Sequence, residues 1–336
     1  MNRVIGHEEN INMLKRAFAE DKLAHAYLFF GIKGVGKRTT AKALAKFILC
    51  GRANEEKFCG CPDCVQVEKE VHPDLRIVHG SGTIKIKQVH QLQKDIQRSP
   101  CRGLMKVIII EECDIMTIEA ANALLKVLEE PIGRVVFILT SSRFYAIKPT
   151  IVSRCQCLLF SPLKSYQIAE GISRYSKKEL TKEYQHVVIS MACGSLGRAL
   201  ELLDDEFERI RLESLEFLKN LQDDLSITKL IMHSFELSQD KEVLKNKIEI
   251  FWLWFRDLLI WKIMSDEKLI VNLDVLEDVK IFAGRYSKDV LKNIINNISV
   301  VLNKIENRAN ARLALDAFFL DMYRDLTLSY GRTDVR

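Results

Sequence analysis

The stretch AHAYLFFGIKGVGKRTTAKALAKFILC, residues 24–50, constrains the fold more than any other part of the chain. An apolar run long enough for one buried strand leads into a loop containing Gly31, Gly34 and Gly36. A helix former with apolar positions three and four apart follows. Strand, glycine loop and helix form the setting in which G-x-x-x-x-G-K surrounds a phosphate with backbone N–H groups and a helix N-terminus. Gly34, Val35 and Gly36 would bring the backbone close to the phosphates, and Lys37 would reach the β- and γ-phosphates. The pattern asks next for a hydroxyl to ligate Mg²⁺, and Arg38 stands there. Thr39 comes one step later, about 100° further round the helix, where it should not face a metal. The residues therefore predict nucleotide binding with weak or absent hydrolysis. A strand–helix turn that binds nothing is the bland alternative.

Four further apolar runs repeat the strand signal: DLRIVHG at 74–80, MKVIIIEE at 105–112, RVVFILTSS at 134–142, and CQCLLFSP. Helical patterns separate most of them, and Pro131 stops the helix TIEAANALLKVLEE. Wholly apolar strands alternating with helices predict an α/β domain, a parallel sheet with helices on both faces. After Pro162 the strand pattern ends and the chain reads as helical, with a glycine break at ACGSLGRAL. A chain of 336 residues suits two or three domains. The expected division is a nucleotide-binding domain at 1–162, a small helical module at 163–207, and an all-helical domain at 208–336.

A hydrolytic site of this class also wants a strand ending in Asp-Glu, the first carboxylate serving Mg²⁺ and the second polarising water. Here Glu111 holds the first position and Glu112 the second, so both magnesium positions depart from the pattern. Two carboxylates capping a strand are the alternative. Thr140, with Ser141 and Ser142, forms a polar end to the fourth strand, where a hydroxyl could touch a γ-phosphate.

Cys50, Cys59, Cys61 and Cys64 read C-x8-C-x-C-x2-C, a set suited to one tetrahedral, structural Zn²⁺ with no place left for water. The one-residue gap between Cys59 and Cys61 is tight for simultaneous ligation. Cys101, Cys113, Cys155, Cys157 and Cys193 read as buried thiols. His72 reads as loop architecture. Phe251, Trp252, Trp254, Phe255 and Trp261 lie at helical spacing and read as core or subunit packing. The apolar run around them carries Arg256 and Asp257 and is too short and charged to span a bilayer. With no apolar signal core in MNRVIGHEEN, the chain reads as cytoplasmic. Fifty basic against 45 acidic side chains, a formal charge of +5, permit nucleic-acid contact without demanding it.

LAHAYLFFGIKGVGKRT, ANALLKVLEEP, PTIVSRCQ and GSLGRAL together resemble the clamp-loader branch of the AAA+ proteins. The resemblance carries specific motifs to about residue 200 and continues more thinly through FWLWFRDLLIWK and NRANARLALDAFF. It implies a nucleotide-binding domain, a helical lid and a helical collar that assembles a five-membered ring with other loader subunits. It also implies an accessory role in the replicative DNA polymerase III holoenzyme, helping to load a sliding clamp on primed DNA through backbone contacts. The SRC arginine, Arg154, would be presented to ATP on a neighbouring motor subunit. Val4 and Ile5 match the box that meets adenine, and Arg198 the lid position that senses a γ-phosphate. Arg198 stands one residue late for a motor subunit, as in the non-motor members of the branch. The zinc module in the 50–64 insert also belongs to the resemblance. An ATP-hydrolysing motor subunit or another AAA+ remodeller is the alternative, and a free-standing zinc-bearing DNA-binding module a third.

Overall fold

The computed structural model describes residues 4–50, 60–79, 82–102, 105–129, 133–221, 226–306 and 309–330. The chain divides into two compact units. The first runs to Tyr175 and takes in Ala192–Arg198, and the second holds Ser176–Met191 and everything from Ala199 onward. The span 163–207 thus contributes to both.

In the first unit α1 (Glu8–Ala19) precedes β1 (Ala26–Gly31), and α2 (Lys37–Leu49) follows the glycine loop. Then come α3 (Pro62–Glu68), β2 (Leu75–Val78), α4 (Ile86–Gln97), β3 (Lys106–Ile110), α5 (Ile118–Glu129), β4 (Val135–Ser141), α6 (Pro149–Val152), β5 (Gln156–Phe160) and α7 (Ser165–Tyr175). The five strands make one sheet in the order β2-β3-β4-β1-β5, every pairing parallel. All seven residues of β4 are buried, as expected for a strand with neighbours on both edges and helices over both faces. Leu28, Ile108, Ile110, Phe137 and Leu139 form one core with Leu92 of α4 and Leu124 of α5. Burying such side chains contributes roughly 1.5–3 kcal/mol each. β5 lies at the edge and alternates instead, with Leu158 and Phe160 buried and Leu159 exposed.

This order sets the site. β4 lies between β1 and β3, so the carboxyl ends of three neighbouring strands deliver the glycine loop, the Thr140 end and the Glu111–Glu112 end side by side. In open α/β sheets ligands bind beyond those carboxyl ends.

The second unit is helical: α8 (Lys182–Ala192), α9 (Leu196–Glu201), α10 (Asp205–Asn220), α11 (Ile227–Leu237), α12 (Lys241–Met264), α13 (Leu276–Arg285), α14 (Lys288–Glu306) and α15 (Ala311–Tyr330). Two of these elements straddle the division, since Ala192 and the first half of α9 belong to the first unit. α12 packs against α10, α13 and α14. Phe251, Trp254 and Phe255 are fully buried in it, whereas Trp252 and Trp261 are half-buried. Asp257, read as a charge that disqualifies a membrane span, is buried too. It accepts N–H bonds from Val271 (3.1 Å), from the Asn272 backbone (2.8 Å) and from the Asn272 side chain (2.8 Å). Arg211 joins the same network through both oxygens of Asp274 (2.7 and 2.9 Å) and through Asn272 Oδ1 (2.9 Å). No described helix is long and apolar enough to cross a membrane.

The expectation of five buried thiols beyond the insert is corrected. Cys113 is buried, Cys155 is half-buried, and Cys101, Cys157 and Cys193 are exposed. Cys157 fails because it lies on the exposed face of the edge strand β5, opposite the buried Leu158 and Phe160. Burial, with Cys157 adding to it, pushes the Cys155 thiol up to about 12, so it stays protonated.

Candidate functional site

The glycine loop turns as its residues require. Gly31, at φ 153°, lies so close to β5 that a Cβ there would stand 2.2 Å from the Phe160 carbonyl oxygen. Gly34, at φ 76°, carries the left-handed backbone that places its carbonyl oxygen 2.9 Å from the Gly197 N–H. Ser195 Oγ donates to the Lys33 carbonyl at 2.8 Å and accepts the Arg198 N–H at 3.1 Å. GSLGR is therefore docked on the glycine loop by the Gly197 N–H and the Ser195 hydroxyl.

Val35 is buried within the loop, and its carbonyl lies 3.0 Å from His7 Nε2. His7 follows Val4 and Ile5, so the N-terminal box meets the loop through it; Ile5 is buried and Val4 half-buried. Lys37 is buried at the start of α2. Its Nζ donates to the carbonyls of Gly31 and Ile32, both at 2.7 Å, and to Ser142 Oγ at 3.3 Å. Burial lowers its pKa to about 8, against the opposing pull of Asp114 and Glu112. It is still mostly protonated at neutral pH.

The two positions read as magnesium ligands meet each other. Arg38 Nε lies 2.6 Å from Glu111 Oε1, an oxygen with no well-angled hydrogen bond, so the contact is coulombic. Arg38 Nη2 donates to Glu70 Oε1 at 3.2 Å, and Lys42 pairs with the same oxygen. His79 bridges the carboxylates, Nδ1 3.2 Å from Glu111 Oε2 and Nε2 3.2 Å from Glu70 Oε2. Thr39 is exposed. Thr40 is buried and donates its hydroxyl to the Gly36 carbonyl at 2.9 Å. A magnesium ion does not fit this donor set. One unit positive charge about 4 Å from a divalent ion costs roughly 2 kcal/mol in bulk water and about 8 kcal/mol at an effective dielectric of 20.

The sensor positions are engaged locally. Thr140 is buried and its Oγ1 accepts the Glu112 N–H at 3.2 Å, while Glu112 sits in the left-handed region at φ 49°. Arg198 lies within the docked GSLGR segment. Arg154 follows α6 at the surface, donating to the Thr150 carbonyl at 2.8 Å and pairing with Glu129 at the end of α5.

Cys50, Cys61 and Cys64 come together, all three sulfurs within 4.8 Å of one another; Cys59 lies outside the described residues. α2 ends at Cys50, and Cys61 caps α3 with Pro62 in its first turn. The Cys50 and Cys61 sulfurs are 3.7 Å apart, near the spacing of about 3.8 Å that two Zn–S bonds of about 2.3 Å make at a tetrahedral angle. The Cys64 N–H also donates to Cys61 Sγ at 3.4 Å, supporting a thiolate from behind. Zinc fits these residues. His72, read as architecture, accepts the Asp74 N–H at 3.1 Å, and its Nε2 lies 3.5 Å from Asp63.

Sequence reasoning missed His7, Glu70, His79 and Ser195. Each lies far along the chain from the groups it touches and in no recognisable spacing.

Two family models match, "DNA polymerase III, delta subunit" over residues 6–164 and "DNA polymerase III, delta subunit, C terminal" over residues 211–323. The DNA polymerase III subunit delta' of Bacillus subtilis is 29% identical over 312 residues, covering 90% of this chain and 92% of its own. Subunit tau of the same organism is 29% identical over 279 residues, of which this chain spans only half the length (50%). Among solved structures, a DNA polymerase III gamma subunit-related protein from Thermotoga maritima superposes with a TM-score of 0.51. That match covers 94% of this chain and 99% of the other at 18% identity, so it bears on the fold alone. The chain belongs to the DNA polymerase III delta-prime family, clamp-loader subunits built on the AAA+ fold.

Proposed function

We propose that this chain is a non-motor member of a multi-subunit clamp loader. It helps place a sliding clamp on primed DNA in a ring with motor subunits, and it supplies Arg154 to a neighbour's ATP. The carrying observation is the Arg38–Glu111 pair, in which the two positions read as magnesium ligands engage each other. Arg154 is held near the surface by Glu129 and Thr150, a tethered guanidinium of the kind that stabilises transition-state charge in trans.

Within the reading, Val4 and Ile5 line an adenine site, Gly34 to Lys37 hold the phosphates, and Thr140 and Arg198 flank them. Glu112 has no water to activate without a metal. Cys50, Cys61 and Cys64, with Cys59, hold a structural zinc that ties α3 to the end of α2. DNA is met through backbone phosphates and released by salt. The loader works in the cytoplasm.

The test is ATP turnover by the chain alone and in a ring reconstituted with motor subunits. The chain alone is expected to turn over negligibly. Arg154→Ala is expected to leave assembly intact and lower the ring's turnover at least tenfold, such arginines supplying up to about 10³–10⁵. Unchanged turnover in the Arg154→Ala ring overturns the in-trans role. Retention of Gly31, Gly34, Gly36 and Lys37 favours the second reading, a motor subunit; steady turnover by the chain alone, abolished by Lys37→Ala, would establish it.

A further inference from the structure

The reading that the glycine loop holds a nucleoside polyphosphate leaves open in which ionic form, and the geometry at Arg38 decides it. We propose that this chain binds its polyphosphate free of divalent metal, the Arg38–Glu111 ion pair standing in place of the metal and its two protein ligands. The proposal rests on the nucleotide-binding reading and sharpens it.

Four observations carry it. The side chain at the metal's hydroxyl position is a cation, and its Nε lies 2.6 Å from the carboxylate at the metal's second position. The two groups that would hold a metal therefore neutralise each other. Neither neighbouring hydroxyl stands at the metal's position, because Thr39 lies about 100° further round the helix and Thr40 is bonded to the Gly36 carbonyl. The oxygens of Glu111 and Glu70 are also engaged: His79 lies 3.2 Å from Oε2 of both, and Arg38 and Lys42 share Glu70 Oε1. Finally, Arg38 engages its neighbours through Nε and Nη2, and among the described residues Nη1 has no partner.

The charges decide which form is preferred. A free nucleoside triphosphate carries two more negative charges than its magnesium complex. The loop offers Lys37 and, in the next residue, a guanidinium with an uncommitted N–H edge at a helix N-terminus, where anions are favoured. A magnesium complex would bring its divalent charge against that guanidinium. The metal-free anion meets the Lys37 and Arg38 donors without that repulsion.

The experiment is calorimetric titration of the full chain with a non-hydrolysable ATP analogue, in EDTA and in excess Mg²⁺. Binding is expected to be at least as tight in EDTA as in magnesium, and Lys37→Ala should abolish it in both. The double variant Arg38→Thr with Glu111→Asp, which restores the metal's usual ligands, should reverse the preference, binding at least tenfold tighter with magnesium. Wild-type binding that is tenfold tighter with magnesium, or seen only with it, overturns the proposal and leaves the nucleotide reading standing. Absence of wild-type binding in both buffers overturns the nucleotide reading, and the proposal with it. Binding that survives Lys37→Ala places the analogue elsewhere and also overturns the proposal. The wild-type comparison needs no variant to fold, so it decides the question by itself.

Discussion

Each unit of the molecule contains a small network of paired charges, and the two are built differently. In the helical unit, Arg211 is 3% and Asp257 0% exposed, and of their side-chain polar atoms only Arg211 Nε lacks a hydrogen-bond partner among the described residues. In the sheet unit, the Arg38 side chain is 53% exposed, Glu111 Oε1 lacks a well-angled donor, and one face of the guanidinium is uncommitted. The first network is closed to solvent at Arg211 and Asp257. It positions the segment after α12 by satisfying N–H groups that would otherwise be buried without partners. The second is open at the ends of three strands, where backbone and side-chain donors still face outward. A closed network holds structure, and an open one at a sheet's carboxyl edge is where ligand chemistry can enter.

The contrast is broken most severely in the helical unit. Asp257→Ala removes an acceptor that three N–H groups share, so unfolding in urea should show a loss of about 3–5 kcal/mol. A loss under about 1 kcal/mol would mean that water or a shifted loop replaces the carboxylate and that the network is not closed.

Acid probes the same unit through His233, which is stacked on Phe217 with ring centroids 3.9 Å apart. Burial lowers its pKa from 6.5 to about 4, with Lys247 adding to the effect. The unfolded chain takes up a proton as pH falls through 6.5, and the folded chain resists until about pH 4. Stability is therefore lost across that window, by up to about 3 kcal/mol, and levels off below it. His233→Phe should flatten that part of the curve in denaturation series between pH 7 and 4. An unchanged slope would assign the loss to the carboxylates.

At the open site the expected effects fall on binding. Lys37 loses its charge above about pH 8, so affinity for a polyphosphate should drop about tenfold per pH unit from there upward. Lys37→Arg, which does not titrate in this range, should bind with a flat profile between pH 7 and 9.5. A wild-type profile equally flat would show that Lys37 does not touch the anion.

Folding stability should barely register the pair itself. Arg38→Ala removes a half-exposed partner, and denaturation should show a change under about 1 kcal/mol. A loss near that of Asp257→Ala would erase the distinction between the two networks.

Much of this was legible beforehand, for identifiable reasons. Strands β1, β3 and β4 are continuous apolar runs, and only a doubly covered sheet can bury such runs. The glycine loop was legible because its spacing serves backbone geometry, which is local. Cys61 and Cys64 share one turn, so their approach was local as well. Cys157 was misread because alternation along a strand indicates two faces without telling which of them a helix covers.

What the sequence determined by itself was therefore short-range or periodic: which segments are strands, where the loop turns, that Arg38 and Glu111 replace the expected hydroxyl and aspartate, and that four cysteines suit one metal. Tertiary structure alone decided that those two departures are partners, that Glu70 and His79 complete their network, and that Ser195 and Gly197 seat on the phosphate loop. Each of those contacts joins residues whose separation along the chain carries no signal. They meet because the strand order puts β4 between β1 and β3 and brings the carboxyl ends of all three to one edge. Charge, whose reach is a few ångströms in space and nothing in sequence, is settled only there.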